Sequence, residues 1–311
     1  MLNEEGVFFL RKGNLDVAEE KFEQALKGYK SVLGYNHTST LGTINNLGLL
    51  FADRGELAKA EAMLEQALKG REDTLGSNHI ATLDTVSNLG LLYTDQGRLD
   101  RAGAMFKRTL KGREDTLGSN HTSTLDTFNN LGLLFWKRGM LDKSEEMSER
   151  ALKGYKSVLG YNHTSTLGTI NNLGLLFADR GELAKAEAML EQALKGREDT
   201  LGSNHIATLD TVNNLGIVYR RQGRLSKAGS MFERALRGYQ NALGPDHPST
   251  SGTYQNLALL FANQGAISQA VTMFERALEG FEKHFSLEHR YCSSIRYTLF
   301  ALEVHSYSKL Q

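Results

Sequence analysis

The sequence has little cysteine, proline or tryptophan, and no charge excess of either sign. Its single cysteine, Cys292, has no partner for an internal disulfide, which fits a reducing compartment and a cytoplasmic location. Lysine and arginine number 36, as do aspartate and glutamate, so the formal net charge is zero. Without a basic field to hold phosphates, nucleic acid is excluded as a partner. No apolar run approaches the roughly 18 residues that cross a bilayer, so no membrane partner is expected. The opening Met-Leu-Asn-Glu-Glu lacks the basic and apolar regions of a signal peptide. Only two prolines occur, Pro245 and Pro248, against 31 glycines. Nearly all the glycines hold fixed places in a repeat, so they are architecture rather than flexible linker.

What the chain has is a period of 42 residues. Histidine recurs at His37, His79, His121, His163, His205, His247 and His289. Glycine keeps the same step at Gly13, Gly55, Gly97, Gly139, Gly181, Gly223 and Gly265. Length alone would suggest two domains, but a repeat array grows without closing one central core. One array over residues 1–311 is expected, with units at 1–37, 38–79, 80–121, 122–163, 164–205, 206–247 and 248–289. A capping helix follows at 290–311, with Arg290, Arg296, Glu303 and His305 on a polar side.

Within one unit, Leu41, Ile44, Leu47 and Phe51 fall at helical spacing and predict a helix A up to Arg54. Gly55 supplies its left-handed terminus. Helix B is predicted from Leu57 to Leu75, with Leu57, Ala60, Leu64, Ala67, Leu68 and Leu75 buried, and Gly76 ends it. The following Asn or Asp, then His, reads as a helix start, with the Asn or Asp as the capping acceptor. About 15 helices are expected in all. Gly48, Gly90, Gly132, Gly174 and Gly216 lie inside helix A, where glycine costs about 1 kcal/mol against alanine. Such repetition implies close approach of helix B, through Ala60 and its equivalents. A second internal row, Gly28 to Gly280, either admits the next helix or relieves a bend.

Leu47-Gly48, Phe51, Ala60, Leu64 and Ala67, with Phe22, Phe106, Phe232 and Phe274 in other copies, resemble the tetratricopeptide repeat. The Leu-Gly-x-x-His-x-x-Thr connection and the Asn-Leu-Gly-x-Leu core resemble the 42-residue repeats of kinesin light chains, and more closely the repeat tails of fungal NOD-like receptors. The chain lacks the heptad coiled coil of the former and the phosphate loop of the latter. Residues 25–86 and 151–212 are identical, as befits rapidly changing recognition tails. The resemblance implies an all-α, right-handed α-solenoid superhelix, with helix A lining a concave groove and helix B outside.

Helix A carries asparagine at Asn46, Asn88, Asn130, Asn172, Asn214 and Asn256. An amide that both donates and accepts can clamp the backbone of an extended peptide, as in other tetratricopeptide superhelices. Alternatively, each amide bonds a neighbouring helix and only fixes the stack. A second row, Asn45, Asn129, Asn171 and Asn213, has Ser87 and Gln255 as substitutes. Asp84, Asp126 and Asp210 alternate with Gly42, Gly168 and Gly252, and could set specificity. Trp136 with Lys137, and Arg220 with Arg221, could hold an apolar anchor and an acidic tail; the alternative is a packed tryptophan and solvated cations.

No catalytic or cofactor motif is present, and no metal is expected. Equivalent histidines in successive repeats should lie about 10 Å apart, too far to share an ion, and are read instead as bonding backbone at the helix start. Ser144 and Ser148 replace apolar residues of helix B, which predicts a soft point or a polar contact. A non-enzymatic module binding a peptide or protein segment is the favoured reading. An assembly scaffold, self-associating through its ends or its convex face, is the alternative.

Overall fold

The computed structural model describes residues 2–285 and 289–308, without the side chains of Arg290 and of residues 303–308. The described residues form fifteen helices and no strand. They are α1 (Leu2–Arg11), α2 (Leu15–Leu33), α3 (Thr38–Asp53), α4 (Leu57–Leu75), α5 (Ile80–Asp95), α6 (Leu99–Leu117), α7 (Thr122–Lys137) and α8 (Leu141–Val158). There follow α9 (Thr164–Asp179), α10 (Leu183–Leu201), α11 (Ile206–Arg221), α12 (Leu225–Leu243), α13 (Pro248–Asn263), α14 (Ile267–Glu282) and α15 (Arg290–Ser308). None is long and apolar enough to cross a membrane. The fold is an all-α solenoid of helix pairs. Residues 1–158 form one compact unit and residues 159–311 a second.

Local chemistry sets the helix boundaries. His37, not the preceding asparagine, is the N-cap of α3, and its Nδ1 accepts from the Ser39 amide at 3.1 Å. His79, His121, His163, His205 and His247 cap α5, α7, α9, α11 and α13 in the same way. The expectation of an Asn or Asp cap is therefore corrected: the imidazole reaches the free amide two residues on. Gly76 ends α4 at φ 89° and ψ 161°, a conformation open essentially to glycine alone. Its carbonyl is then pinned by Thr82 Oγ1 at 2.9 Å. Thr40, Thr124, Thr166, Thr208 and Thr250 repeat that bond to the glycine six residues before.

Packing explains both interior glycine rows. A Cβ on Gly48 would stand 2.7 Å from Leu64 Cγ, and one on Gly216 would strike Phe232. Helix B does approach closely, but its large side chain at the Leu64 position fills the notch rather than Ala60. In the second row, a Cβ on Gly112 would lie 2.7 Å from Leu83 Cδ2. That glycine admits the leucine of the preceding helix, not the next helix. In the first unit Phe22, Leu47, Leu64, Leu89, Phe106 and Leu131 join one buried cluster.

At α8 the pattern weakens. Ser148 stands against Gly132 where Leu64 stands against Gly48, and buried Ser144 donates to the Gly132 carbonyl at 2.8 Å. A polar contact thus replaces apolar filling. In the second unit, Cys292 and Ile295 of α15 pack onto Phe274 and Phe281. Its described outer side is less polar than a cap should be, because Tyr297 and Phe300 are 75% and 64% exposed. Arg296 pairs with Glu282, while the side chains of Arg290, Glu303 and His305 lie outside the described residues.

Candidate functional site

The two asparagine rows are hydrogen-bonded to each other. Asn88 Nδ2 on α5 donates to Asn45 Oδ1 on α3 at 3.1 Å. Thr85 Oγ1 approaches the same oxygen at 3.2 Å. Asn46 donates to Asn3 Oδ1 at 3.2 Å, which also accepts from Thr43. In the second unit Asn214 and Thr211 both reach Asn171 Oδ1 at 3.2 Å, and Asn256 reaches Asn213 at 3.0 Å. One amide proton of each of these later-row asparagines therefore ties successive A helices together. The acceptors Asn45 and Asn171 are buried, at 7% exposure. Asn46, Asn88, Asn214 and Asn256 are only half-buried, and their own carbonyl oxygens remain beside the bond.

Asn130 differs. Ser87 stands where an asparagine acceptor would be, and among the described residues the Asn130 side chain has no hydrogen-bond partner. It is half-buried on α7, and its amide is uncommitted. Asn172 is half-buried on α9, and Asn129 on α7 is already bonded.

Trp136 is half-buried near the end of α7, with Lys137 beside it. Lys137 lies 3.6 Å from Asp95 of the preceding A helix. Arg221 likewise uses its Nη1 on Asp179 and on the Ala178 carbonyl, both at 2.9 Å. Arg220 does not: its Nε is buried without a hydrogen-bond partner. Burial, and then the charge of Arg221, lowers its pKa from the ordinary arginine value. Trp136 and Lys137 belong to the first unit, Arg220 and Arg221 to the second.

A cleft of about 400 Å³ opens beside Asn213 and Asn256 in the second unit, and neither Arg220 nor Arg221 lines it. Asp210, Asn213, Gly252, Gln255 and Asn256 form its polar wall, and Tyr239, Phe281 and Tyr291 its aromatic wall. Tyr239 donates to Asp210 at 2.5 Å, and burial, then that carboxylate, pushes the phenol strongly up. Tyr155 donates to Asp126 in the first unit. Arg113 fills the same helix B position and pairs with Asp84 at 2.5 Å. Sequence reasoning singled out the alternating Asp and Gly but missed their helix B partners. The signal was there: residues 71, 113, 155, 197, 239 and 281 vary between Arg, Tyr and Phe in step with the repeat.

Among the described residues no group of His, Cys, Asp and Glu is gathered closely enough to hold a metal. The chemistry on offer is hydrogen bonding by amides, apolar contact, and isolated charges.

No curated protein matches the chain at a significant level. BtubC (BKLC) from P. vanneervenii is 23% identical, covering 75% of this chain and 92% of its own, with a TM-score of 0.60. A putative kinesin light chain from Podosopora anserina with nearly identical TPR-like repeats is also 23% identical, covering 67% and 98%, with a TM-score of 0.55. NprR in complex with its cognate peptide NprX is 16% identical over 98% of this chain and 86% of its own, with a TM-score of 0.64. The tetratricopeptide repeat profile matches residues 1–73, 79–157, 165–241 and 208–283. With that profile over most of its length, and with glycine-notched helix pairs throughout, the chain belongs to the tetratricopeptide repeat family.

Proposed function

We propose that the chain is a non-enzymatic interaction module that binds an extended peptide or protein segment in the groove lined by its A helices. One observation carries this reading: half-buried amides recur along one face of the A helices. Four of the six are already oriented by a neighbour, and Asn130 is uncommitted among the described residues. Oriented amides lose little freedom on meeting a peptide backbone, so more of each hydrogen bond appears as affinity. The cleft joining Asn213 and Asn256 to an aromatic wall supports it, since a peptide needs both backbone partners and a place for a side chain. So does the fold shared with NprR, whose structure holds its cognate peptide. The identity of residues 25–86 and 151–212 supports a finer reading, the recognition part of a fungal NOD-like receptor.

Panning a random-peptide display library on the full chain tests the proposal. Peptides that enrich on the parent and weaken on Asn130→Ala, with both proteins melting alike, are expected. Enrichment on neither sinks it.

A second reading, self-association through the ends, has its own observation. An apolar cleft of about 410 Å³ lies beside Leu2, Ala25, Val32 and Leu33, where Gly28 faces open space instead of a leucine. Concentration-dependent mass in sedimentation, lost in Val32→Glu, is the result that reading requires.

A further inference from the structure

Arg71 and Arg197 occupy the same place in two repeats, one in each compact unit. Arg71 Nη1 is held by the Ala81 carbonyl at 2.7 Å and by Thr85 Oγ1 at 2.6 Å. Arg197 is held by Ala207 and Thr211 at 2.6 Å each. Arg113 has the same pair of anchors, Ser123 and Thr127. All three guanidinium groups are thereby turned the same way, with Nη2 facing the preceding A helix.

What they face differs. Arg113 meets Asp84, whose Oδ1 lies 2.5 Å from Nη2. Arg71 and Arg197 meet glycine instead: a Cβ on Gly42 would stand 3.6 Å from Arg71 Nη2, and one on Gly168 3.8 Å from Arg197 Nη2. Among the described residues neither arginine has a carboxylate in ion-pair contact. Burial lowers the pKa of both, opposed through space by Asp84 and Asp210 respectively, neither of which touches them. A partly desolvated cation without a counter-ion is unfavourable, and a guanidinium edge matches a carboxylate in shape and charge.

These notches lie on the candidate site. Residues 42 and 46 are one helical turn apart on one face of α3. In the last repeat the equivalents of residues 42, 45, 46 and 71, namely Gly252, Gln255, Asn256 and Phe281, line one open cleft.

We propose that Arg71 and Arg197 each receive an acidic side chain of the bound peptide, its carboxylate taking the place that Asp84 takes against Arg113. The row then sets charge preference repeat by repeat. Gly42–Arg71 and Gly168–Arg197 select Asp or Glu. Asp84–Arg113 is self-neutralised, and the Asp126–Tyr155 and Asp210–Tyr239 pairs stay negative. The proposal rests on the reading that the A-helix face binds peptides.

The chain carries the design of its own test. Gly42→Asp and Gly168→Asp should fill each notch from within, as Asp84 does, and Asp already stands at that position in three repeats. Random-peptide display is run on the full-length parent and on the double variant, and enriched peptides are titrated by calorimetry. The expected result is an Asp or Glu at a fixed place in parent-selected peptides, and roughly tenfold or greater loss when it becomes Asn or Gln. The double variant should lose the same factor and no longer distinguish Glu from Gln. Arg71→Gln with Arg197→Gln should do likewise. Selected peptides without a fixed acidic residue, or acidic peptides that bind parent and double variant equally, overturn this inference and leave the groove reading standing. No enrichment on the parent overturns both.

Discussion

The repeats 38–79 and 80–121 have the same skeleton and different surfaces. Both begin with a histidine cap, pin a glycine carbonyl with a buried threonine, and seat a leucine on an interior glycine. Both send one amide to the asparagine row before it. Yet Gly42 becomes Asp84 in front of an arginine that both repeats keep, Asn45 becomes Ser87, and Ala52 becomes Thr94. The positions that repeat without change hold helix against helix. Those that vary include positions 42 and 52 of helix A, and also helix B positions, where Ala58, Glu61 and Glu65 become Asp100, Gly103 and Lys107.

Breaking the shared skeleton should cost most. Gly112→Val places a branched side chain on Leu83, with Cβ 2.7 Å from its Cδ2, and should destabilise the chain by about 3 kcal/mol in urea unfolding. Gly42→Asp, by contrast, displaces nothing, since its Cβ would stand at an ordinary 3.6 Å from Arg71 Nη2, and should change stability by less than about 0.5 kcal/mol. Asn45→Ala leaves Thr85 and Asn88 without their shared acceptor, and should cost about 2 kcal/mol in the same assay. Ser148→Leu restores the residue that Leu64 supplies against Gly48, and should stabilise by about 1–2 kcal/mol.

The smallest expected effect concerns acid. A neutral imidazole accepts through Nδ1, and an imidazolium cannot. Burial, then the neighbouring His284, lowers the pKa of His247. The sign follows: its stabilisation is present above about pH 6.5, the unfolded value, and is lost as pH falls through the lowered folded value. His247→Asn keeps a cap that does not titrate. Its melting temperature should fall less between pH 7.5 and 5 than the parent's, with about 1 kcal/mol at stake.

The period exposed the helices almost residue for residue, because 42-residue spacing aligns seven copies and lets each position be read several times. α3 and α4 were legible from the spacing of Leu41 to Phe51 and from Gly55 and Gly76. The asparagine rows were legible as rows, but not their bonds. That Asn88 donates to Asn45 depends on how far α5 is offset from α3, which no single repeat records. A backbone-bonding role for the histidines at the helix start was legible, but the cap position was assigned to Asn36 beside His37, the better-known capping type. Arg71 escaped because helix B reads as outer surface, while its guanidinium crosses to Ala81 and Thr85 on α5 of the next repeat.

Asn130 gives the most direct test of peptide binding, because its amide holds no other helix and its loss should leave the fold unchanged. A display-selected peptide is titrated by calorimetry into the parent and into Asn130→Ala, with matched melting curves. Binding in the groove predicts at least about tenfold weaker affinity for the variant. Equal affinity for the two proteins would contradict a role for that amide row in holding the peptide.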